Sequence, residues 1–191
     1  MAQLSRPSRV IVDNDPDIAL VERCRNGDWT AFTELVVRYQ RPIYNAALWM
    51  LRRPEDANDI AQIVFLRVAE RLDEYDPRFK FFSWIYRIAV NESLNLLRRN
   101  GRVEALDDDV DLPGSEDADP ERQASAAEVS RRIRAALMKM PPNDRLVVTL
   151  RHFSECSYEE IGQILEIDQK TVKSRLYEAR QRLRQLLSDL N

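Results

Sequence analysis

The sequence has little of what metal centres and disulfide scaffolds need. Its 191 residues contain two cysteines, one histidine and four glycines. Cys24 and Cys156 are too far apart to form a CxxC metal pair, and they cannot build a multi-bridge disulfide framework. His152 has no obvious nucleophile or metal-ligand partner. We therefore predict a protein with no metal, no cofactor and no small-molecule substrate.

Long hydrophobic runs are also absent. No stretch approaches the roughly 18 apolar residues of a membrane span. The N-terminal segment MAQLSRPSRVIV lacks the apolar core and small-residue cleavage site of a secretory signal. These absences predict a cytoplasmic protein with no direct membrane insertion.

Charge is distributed unevenly along the chain. The net charge is only −3, but residues 101–128 hold ten acidic and two basic residues. The flanking segments are neutral to basic, and residues 169–187 hold six basic residues against Glu178 alone. A basic helix within an acidic protein indicates an anion-binding face. An ordinary solvated helix surface remains the alternative.

Apolar residues recur at helical spacing through most of the chain. Asp15 and Asp28 precede two such stretches, and aspartate is a favoured N-cap residue. Pro42 is expected to interrupt the second stretch, because proline removes a hydrogen bond from a helix interior. Trp29 and Trp49 are interpreted as core residues. No convincing strand pattern occurs.

An acidic segment separates two helical regions. Residues 101–124 have no aromatic residue and include DDDVDLPGSEDADPE, which buries too little apolar surface to offset the entropy of ordering. We predict an all-α protein of two small helical domains, 15–100 and 125–191, joined by this acidic flexible linker and preceded by a tail at 1–14. A free coil of this length averages about 27 Å end to end, so the free protein is expected to be compact.

The C-terminal segment YEEIGQILEIDQKTVKSRLYEARQRLR has a helix, a short turn and a second helix. Ser157 and Glu160 match a capping box before the first helix, and Glu166 lies in a turn where a positive φ would strain it. The second helix of such a motif can lie in the major groove of DNA. The pattern alone favours DNA binding over an ordinary helical hairpin without excluding the latter.

Two parts of the chain together resemble a known family. PPNDRLVVTLRHFSECSYEEIGQILEIDQKTVKSRLYEARQRLR resembles the minus-thirty-five-reading domain of bacterial sigma factors. LVERCRNGDWTAFTELVVRYQRPIYNAA, DANDIAQIVFLRVAERL and FFSWIYRIAVNESLNLLRRNGR resemble their other domain. The absence of further domains makes the chain similar to the extracytoplasmic-function (ECF) class. The resemblance implies a non-enzymatic subunit that directs RNA polymerase to specific promoters.

The resemblance also implies partners. They are core RNA polymerase, through the clamp helices of its β′ subunit and through its β subunit, promoter DNA, and an anti-sigma factor. DANDIAQIVFLRVAERL looks like the helix that docks on the clamp helices. Its candidate docking residues are Asp56, Asn58, Asp59, Gln62 and Arg67. Ile63 departs from the Glu that commonly follows Gln there, and a solvated amphipathic helix is the alternative interpretation.

YDPRFKFFSWIYRIAVNESLNLLRRNGR resembles the minus-ten recognition and melting region. Strand opening needs exposed rings on which unstacked bases rest, and cations for the backbone. The candidate residues are Arg78, Phe79, Lys80, Phe82, Arg87, Asn91, Asn95, Arg98, Arg99 and Arg102. We expect the loop at residues 79–82 to hold a flipped base and Trp84 to belong to the core. Asn95 replaces a common Asp.

The recognition helix supplies the candidate residues for the minus-thirty-five element. They are Lys170, Thr171, Lys173, Ser174, Arg175, Tyr177, Arg180 and Arg182, of which the last two are expected to meet phosphates. One rival interpretation is a helix-turn-helix repressor or activator that binds DNA alone, and the polymerase-docking helix argues against it. The other rival is a helical enzyme, for which no phosphate loop or acid/base pair is present.

Overall fold

The computed structural model describes residues 15–99 and 120–188, with side chains from residue 128 onward in the second range. These residues form helices and no β-strand, which confirms the predicted all-α class. In chain order the helices are α1 Pro16–Arg25, α2 Trp29–Leu51, α3 Pro54–Arg71, α4 Phe81–Arg99, α5 Pro120–Lys139, α6 Pro142–His152, α7 Tyr158–Leu165 and α8 Gln169–Ser188. A short 3₁₀ turn, Leu72–Glu74, follows α3.

Aspartate caps fix the starts of the first two helices, as predicted. Asp15 accepts the backbone N–H of Asp17 at 3.1 Å through one carboxylate oxygen. Its other oxygen accepts the N–H of Phe81 at 3.3 Å, so Asp15 also ties α1 to the first residue of α4. Asp28 caps α2 by accepting two backbone N–H groups of the first turn. Each such cap contributes about 1 kcal/mol to stability.

The predicted interruption at Pro42 is wrong, because α2 continues through it as a single helix. Proline removes one intrahelical hydrogen bond. Buried residues flank it on both sides, with Leu35 and Tyr39 before it and Ile43 and Ala47 after it. The apolar stripe keeps its helical period across the proline. Packing of this stripe against α1, α3 and α4 outweighs the lost bond.

The first module, α1 to α4, is built around α2. Its fully buried side chains include Leu35, Ile43, Val64, Phe81 and Ile85. Trp49 and Trp84 are buried as expected, but Trp29 is 70% exposed and the expectation of a core residue there is wrong. Trp29 is the first residue of α2 and meets Phe32 edge-on, with ring centroids 6.0 Å apart. The buried stripe of α2 begins two residues later, at Ala31.

The second module, α5 to α8, has its own core. That core includes Leu137, Leu150, Ile161, Ile164 and Leu176. Gly162 sits where α7 passes against the turn before α8, and a Cβ there would lie 2.8 Å from the carbonyl oxygen of Ile167. A side chain at position 162 would therefore push the helix-turn-helix apart.

The two cysteines differ in burial. Only 1% of Cys156 is accessible, whereas Cys24 is half-buried. The loop after α6 folds inward at Cys156, because its N–H donates to the carbonyl of Leu150 at 2.9 Å.

The two modules pack against each other, which agrees with the expected compactness of the free chain. Helix α7 lies on α4, and α6 lies on α2. The rings of Trp49 and Phe153 meet across this contact with centroids 4.2 Å apart. Helix α5 begins at Pro120, within the last residues assigned to the linker. Residues 100–119, with Arg102 and most of the acidic run, lie outside the described part of the chain.

Candidate nucleic-acid interface

Helix α3 presents a polar row beside a buried stripe. Ile60 and Val64 are buried in the first module, whereas Asn58, Asp59 and Gln62 are exposed. A buried stripe fixes the orientation of a helix, and the exposed row beside it is then free to meet a partner.

Two candidate docking residues on α3 already have ion-pair partners. Asp56 is half-buried, and its carboxylate lies 3.8 Å from the guanidinium of Arg53. Arg67 pairs with Glu70 at 3.0 Å and with Glu92 on α4 at 3.6 Å. Their charges are therefore partly neutralised within the module.

An open groove of about 770 Å³ runs between α2 and α3. Its lining residues include Phe32, Val36, Tyr44, Asn58, Gln62, Phe65 and Leu66. Leu66 is 64% exposed and Ile63 is 36% exposed. Helical periodicity alone does not predict this groove, because the groove depends on how α2 and α3 pack. The signal in the sequence is Leu66, an apolar residue that lies off the buried stripe.

The aromatic rings in the loop before α4 and in the first turn of α4 differ in solvent exposure. Phe79 is 41% exposed, whereas Phe81 is fully buried. The Tyr75 hydroxyl donates to the carbonyl of Phe79 at 2.7 Å, which fixes the loop. Phe82 is half-buried, and its ring centroid lies 4.2 Å from that of Tyr86. Among the candidate rings at 79 and 82, Phe79 is therefore the more accessible to a base.

Helix α4 carries a row of polar candidates. Arg87, Asn91, Asn95 and Arg98 follow one another at intervals of three or four residues and so share one face. Asn91, Asn95 and Arg98 are exposed, and Arg98 donates to the Asn95 side chain at 3.2 Å. Arg99 is exposed at the end of the same helix.

Three cations of the minus-ten set already meet carboxylates. Arg78 is held by Asp76 in its own loop, with Nε to Oδ2 at 2.8 Å. Lys80 donates to Glu160 at 2.8 Å, and Arg87 donates to Glu166 in the turn after α7 at 3.1 Å. The hydrogen bond to Glu160 raises the pKa of Lys80. The last two partners lie 80 and 79 residues away in sequence, so no local signal predicts them.

The helix-turn-helix has the capping box and the left-handed turn residue that its sequence predicts. Ser157 and Glu160 form the reciprocal capping box at the start of α7. Glu166 ends α7 in the left-handed region, with φ 55°. At the start of α8, Asp168 accepts the backbone N–H and the hydroxyl of Thr171, both at 2.8 Å. These hydrogen bonds lower the pKa of Asp168.

The outer face of α8 is open over its first half. The exposed candidates there are Lys170, Lys173, Ser174, Arg175 and Tyr177, with Thr171 half-buried in the cap. The Lys173 ammonium also lies 5.9 Å from the centre of the Tyr158 ring, a contact that sequence reasoning did not anticipate.

Farther along α8, two arginines contact α6. Arg180 lies 3.1 Å from the ring nitrogen Nε2 of His152, and Arg182 pairs with Asp144. The last residue of α6 is His152. The phosphate candidates of α8 therefore also connect it to α6.

The described residues offer no group of three or more His, Cys, Asp or Glu side chains that could hold a metal ion. In the part of the chain that the structure describes, no helix is long and apolar enough to cross a membrane.

Comparisons with known proteins agree on one family. The family model for sigma-70 region 2 matches residues 35–103, and that for sigma-70 region 4 matches residues 130–183. The ECF RNA polymerase sigma factor SigW of Bacillus subtilis is 35% identical over 89% of this chain and 96% of its own length. The ECF RNA polymerase sigma-E factor of Escherichia coli K12 is 34% identical over 86% of this chain and 91% of its own length.

Solved structures share the fold. CnrH, in complex with the cytosolic domain of CnrY, matches with a TM-score of 0.70 and 25% identity, over 91% of this chain and 97% of that chain. The sigma factor RpoE from Bartonella quintana, in complex with the anti-sigma factor NepR, matches with a TM-score of 0.66 and 21% identity, over 82% of this chain and 96% of that chain.

Proposed function

Because this chain belongs to the ECF RNA polymerase sigma factors, which direct promoter-specific transcription initiation, we propose how its surfaces divide that work. The first module, proposed as residues 15–100, docks on core polymerase and reads and melts the minus-ten element. The second, proposed as residues 125–191, reads the minus-thirty-five element. The chain then acts in the cytoplasm, where the polymerase is.

Docking on the clamp helices of β′ is assigned to α3. The observation that carries this proposal is the exposed row Asn58, Asp59 and Gln62 beside a firmly buried stripe. The neighbouring groove adds apolar area at Phe65 and Leu66, and an apolar centre with a polar rim is usual for protein interfaces. Asp56 and Arg67 are assigned to the edge of this surface, where they keep their ion pairs.

Minus-ten DNA is assigned to the loop before α4 and to the polar row of α4. Phe79 supplies the exposed ring for an unstacked base, since stacking on an aromatic side chain is worth about 1–3 kcal/mol per base. Phe82 packs against Tyr39 and Tyr86 and supports the loop. Asn91 and Asn95 offer amide groups to base edges. The cations assigned to the DNA backbone are Arg78, Lys80, Arg87, Arg98, Arg99 and Arg102.

Minus-thirty-five DNA is assigned to the exposed half of α8. Lys173 and Arg175 are the base-edge readers, because the N-terminal part of a recognition helix enters the major groove. Lys170, Thr171, Ser174 and Tyr177 flank them. Arg180 and Arg182 meet phosphates beyond the helix centre.

Further partners follow from the family. We assign a contact between the second module and the polymerase β subunit, and an anti-sigma factor as a regulatory partner. The latter is supported by a sigma and anti-sigma complex among the proteins of similar fold.

Run-off transcription with core polymerase tests the proposed function. Core polymerase on a library of promoter templates should give discrete transcripts only when this protein is added, and the protein alone should leave no footprint on duplex DNA. A footprint by the protein alone, without transcripts, would favour a helix-turn-helix regulator that acts by itself.

A further inference from the structure

We propose that Glu178 is a specificity-determining residue of α8, and that its carboxylate accepts a hydrogen bond from the amino group of a cytosine in the minus-thirty-five element. This inference rests on the proposed function, because it uses the assignment of α8 to minus-thirty-five DNA. It adds to that assignment one residue, which has no role in it so far, and the base that this residue reads.

Charge distinguishes Glu178 from the rest of its helix. Residues 169–187 hold six basic residues, and Glu178 is the only acidic residue among them. The phosphates of DNA attract cations, and they repel a carboxylate. A carboxylate on the DNA-facing side of α8 therefore weakens binding to every sequence alike, unless a base offers it a hydrogen-bond donor.

The helical register directs Glu178 away from the second module. Val172, Leu176 and Ala179 are the buried residues of α8. Successive residues of an α-helix are rotated by about 100°, so a residue two positions after a buried one points to the opposite side. Ser174 and Glu178 follow Val172 and Leu176 in this way, and both are exposed. Glu178 therefore shares the outward face of α8 with Ser174, a residue already assigned to DNA.

Two cations close to Glu178 in sequence contact the neighbouring helices instead. The Lys173 ammonium lies 5.9 Å from the centre of the Tyr158 ring on α7. Arg182 pairs with Asp144 on α6, although Glu178 lies four residues before it, the favoured spacing for an ion pair within a helix. These contacts leave the outward face of α8 to Ser174 and Glu178.

The Glu178 carboxylate is not used for an ion pair within the protein. Among the described residues, no ion pair involves Glu178. A surface carboxylate that stabilises its own helix usually does so through a cation three or four residues away. Glu178 has this opportunity at Arg182 and does not use it, so its acceptor oxygens are available to DNA.

Glu178 is close enough to the assigned base readers to contact an adjacent base pair. It lies three residues after Arg175, about 4.5 Å farther along the helix axis. Successive base pairs are about 3.4 Å apart. A helix that lies along the major groove therefore brings Glu178 within one or two base pairs of Arg175.

Cytosine is the base whose major-groove edge suits a carboxylate. An ionised glutamate only accepts hydrogen bonds. Guanine and thymine present acceptors in the major groove, and adenine presents an acceptor beside its amino group. Cytosine presents the N4 amino group alone. Glu178 is therefore expected to favour cytosine and to disfavour guanine and thymine most strongly.

The test replaces one side chain and measures the preference at each base position. The unmodified chain, Glu178→Gln and Glu178→Arg are each combined with core polymerase on a barcoded library of promoters randomised in the minus-thirty-five element. The matched control is Glu128→Gln, which removes an exposed carboxylate from α5 of the same module. Melting curves check that every variant folds.

The expected result is a change of base at one position. The unmodified chain should initiate at least about fivefold better from templates with cytosine there. Glu178→Gln should move the preference to adenine and Glu178→Arg to guanine, because these are the bases that glutamine and arginine bind in the major groove. The control should keep the preference for cytosine. A role in helix stability alone would not make the preferred base follow the chemistry of the new side chain.

Two results would overturn the inference. One is a change by the same factor on all templates, because Glu178 would then act only through its charge. The other is a preference of the unmodified chain for a base other than cytosine at the position that the variants alter. Arg175→Ala in the same library separates this inference from the proposed function. If Arg175→Ala changes promoter choice and the Glu178 variants do not, the inference alone fails, whereas if neither does, the assignment of α8 to DNA fails with it.

Discussion

At the residue scale, Cys156 shows how burial controls side-chain chemistry. Its side chain is 1% exposed, and its Sγ lies 3.6 Å from the carbonyl oxygen of Ser154. Burial raises the pKa of this thiol to about 12. Since the thiolate is the reactive form, Cys156 is expected to be inert in the folded protein, whereas Cys24 is half-buried and more accessible.

We predict that a thiol reagent modifies one cysteine much faster than the other. At pH 8, a pKa of about 12 leaves about one Cys156 thiol in ten thousand ionised. The native chain should therefore show one faster reaction, at Cys24, and one very slow reaction, at Cys156. Mass spectrometry of quenched samples measures both, and in denaturant the two rates should converge. Equal rates in the native chain would contradict the buried position of Cys156.

At the scale of helices, local sequence signals predicted where helices start and where the chain turns. Contacts between residues that are distant in sequence could be identified only from the structure. Asp15, the capping box and the strained position of Glu166 are all readable within a few residues of sequence. The ion pair of Lys80 and Glu160 is not, because nothing local connects residues 80 apart. Trp29 shows the same limit, since its position at the start of α2 decides its exposure and composition alone does not.

Helix α3 gives a prediction that separates binding from folding. Asp59→Lys should abolish binding to core polymerase, because charge reversal at a buried or rim ion pair costs several kcal/mol. Its melting temperature should hardly change, because Asp59 is exposed. Ile60→Asp should instead unfold the first module, because Ile60 is 3% exposed and an unpaired charge would be buried there. Co-purification with core polymerase and a melting curve measure both effects.

The matched control for α3 is Glu22→Lys, the same charge reversal at an exposed position on α1. It should leave both polymerase binding and the melting temperature near those of the unmodified chain. Full polymerase binding by Asp59→Lys would refute the docking assignment and favour a regulator that acts alone.

Helix α8 gives a second prediction, which distinguishes an arginine that reads a base edge from one that contacts phosphates. Arg175→Ala should change promoter choice by about 1–3 kcal/mol at one base position, because Arg175 is exposed in the N-terminal half of α8. Arg182→Ala should weaken all promoters alike and lower the salt slope by about one. Its lost surface ion pair with Asp144 should cost at most about 1 kcal/mol of stability.

Transcription from a library of minus-thirty-five sequences at several salt concentrations distinguishes the two arginines. Asp144→Asn is the control for Arg182→Ala, because it breaks the same ion pair and leaves the arginine free for DNA. If Arg175→Ala left promoter choice and strength unchanged on promoters that depend on the upstream element, the assigned register of α8 would be wrong.

At the scale of the whole molecule, the chain between the modules sets how far they can separate. Helix α4 ends at Arg99 and α5 begins at Pro120, so residues 100–119 must span any opening. A chain of about 20 residues reaches about 70 Å when fully extended. The two promoter elements lie nearly two turns of DNA apart, roughly 60 Å at about 34–36 Å per turn. The available length is sufficient with little to spare.

We predict that removal of about 12 residues from this segment abolishes use of promoters that need both elements. The remaining reach of about 30 Å would hold the second module near the first, while α3 stays exposed and core binding persists. The control replaces the same residues by a Gly/Ser repeat of equal length, which keeps the reach and should keep two-element initiation. Run-off transcription and co-purification measure the two activities. Normal initiation by the shortened chain would mean that the modules do not need to separate to read both elements, and the arrangement in which they pack against each other would then be the working one.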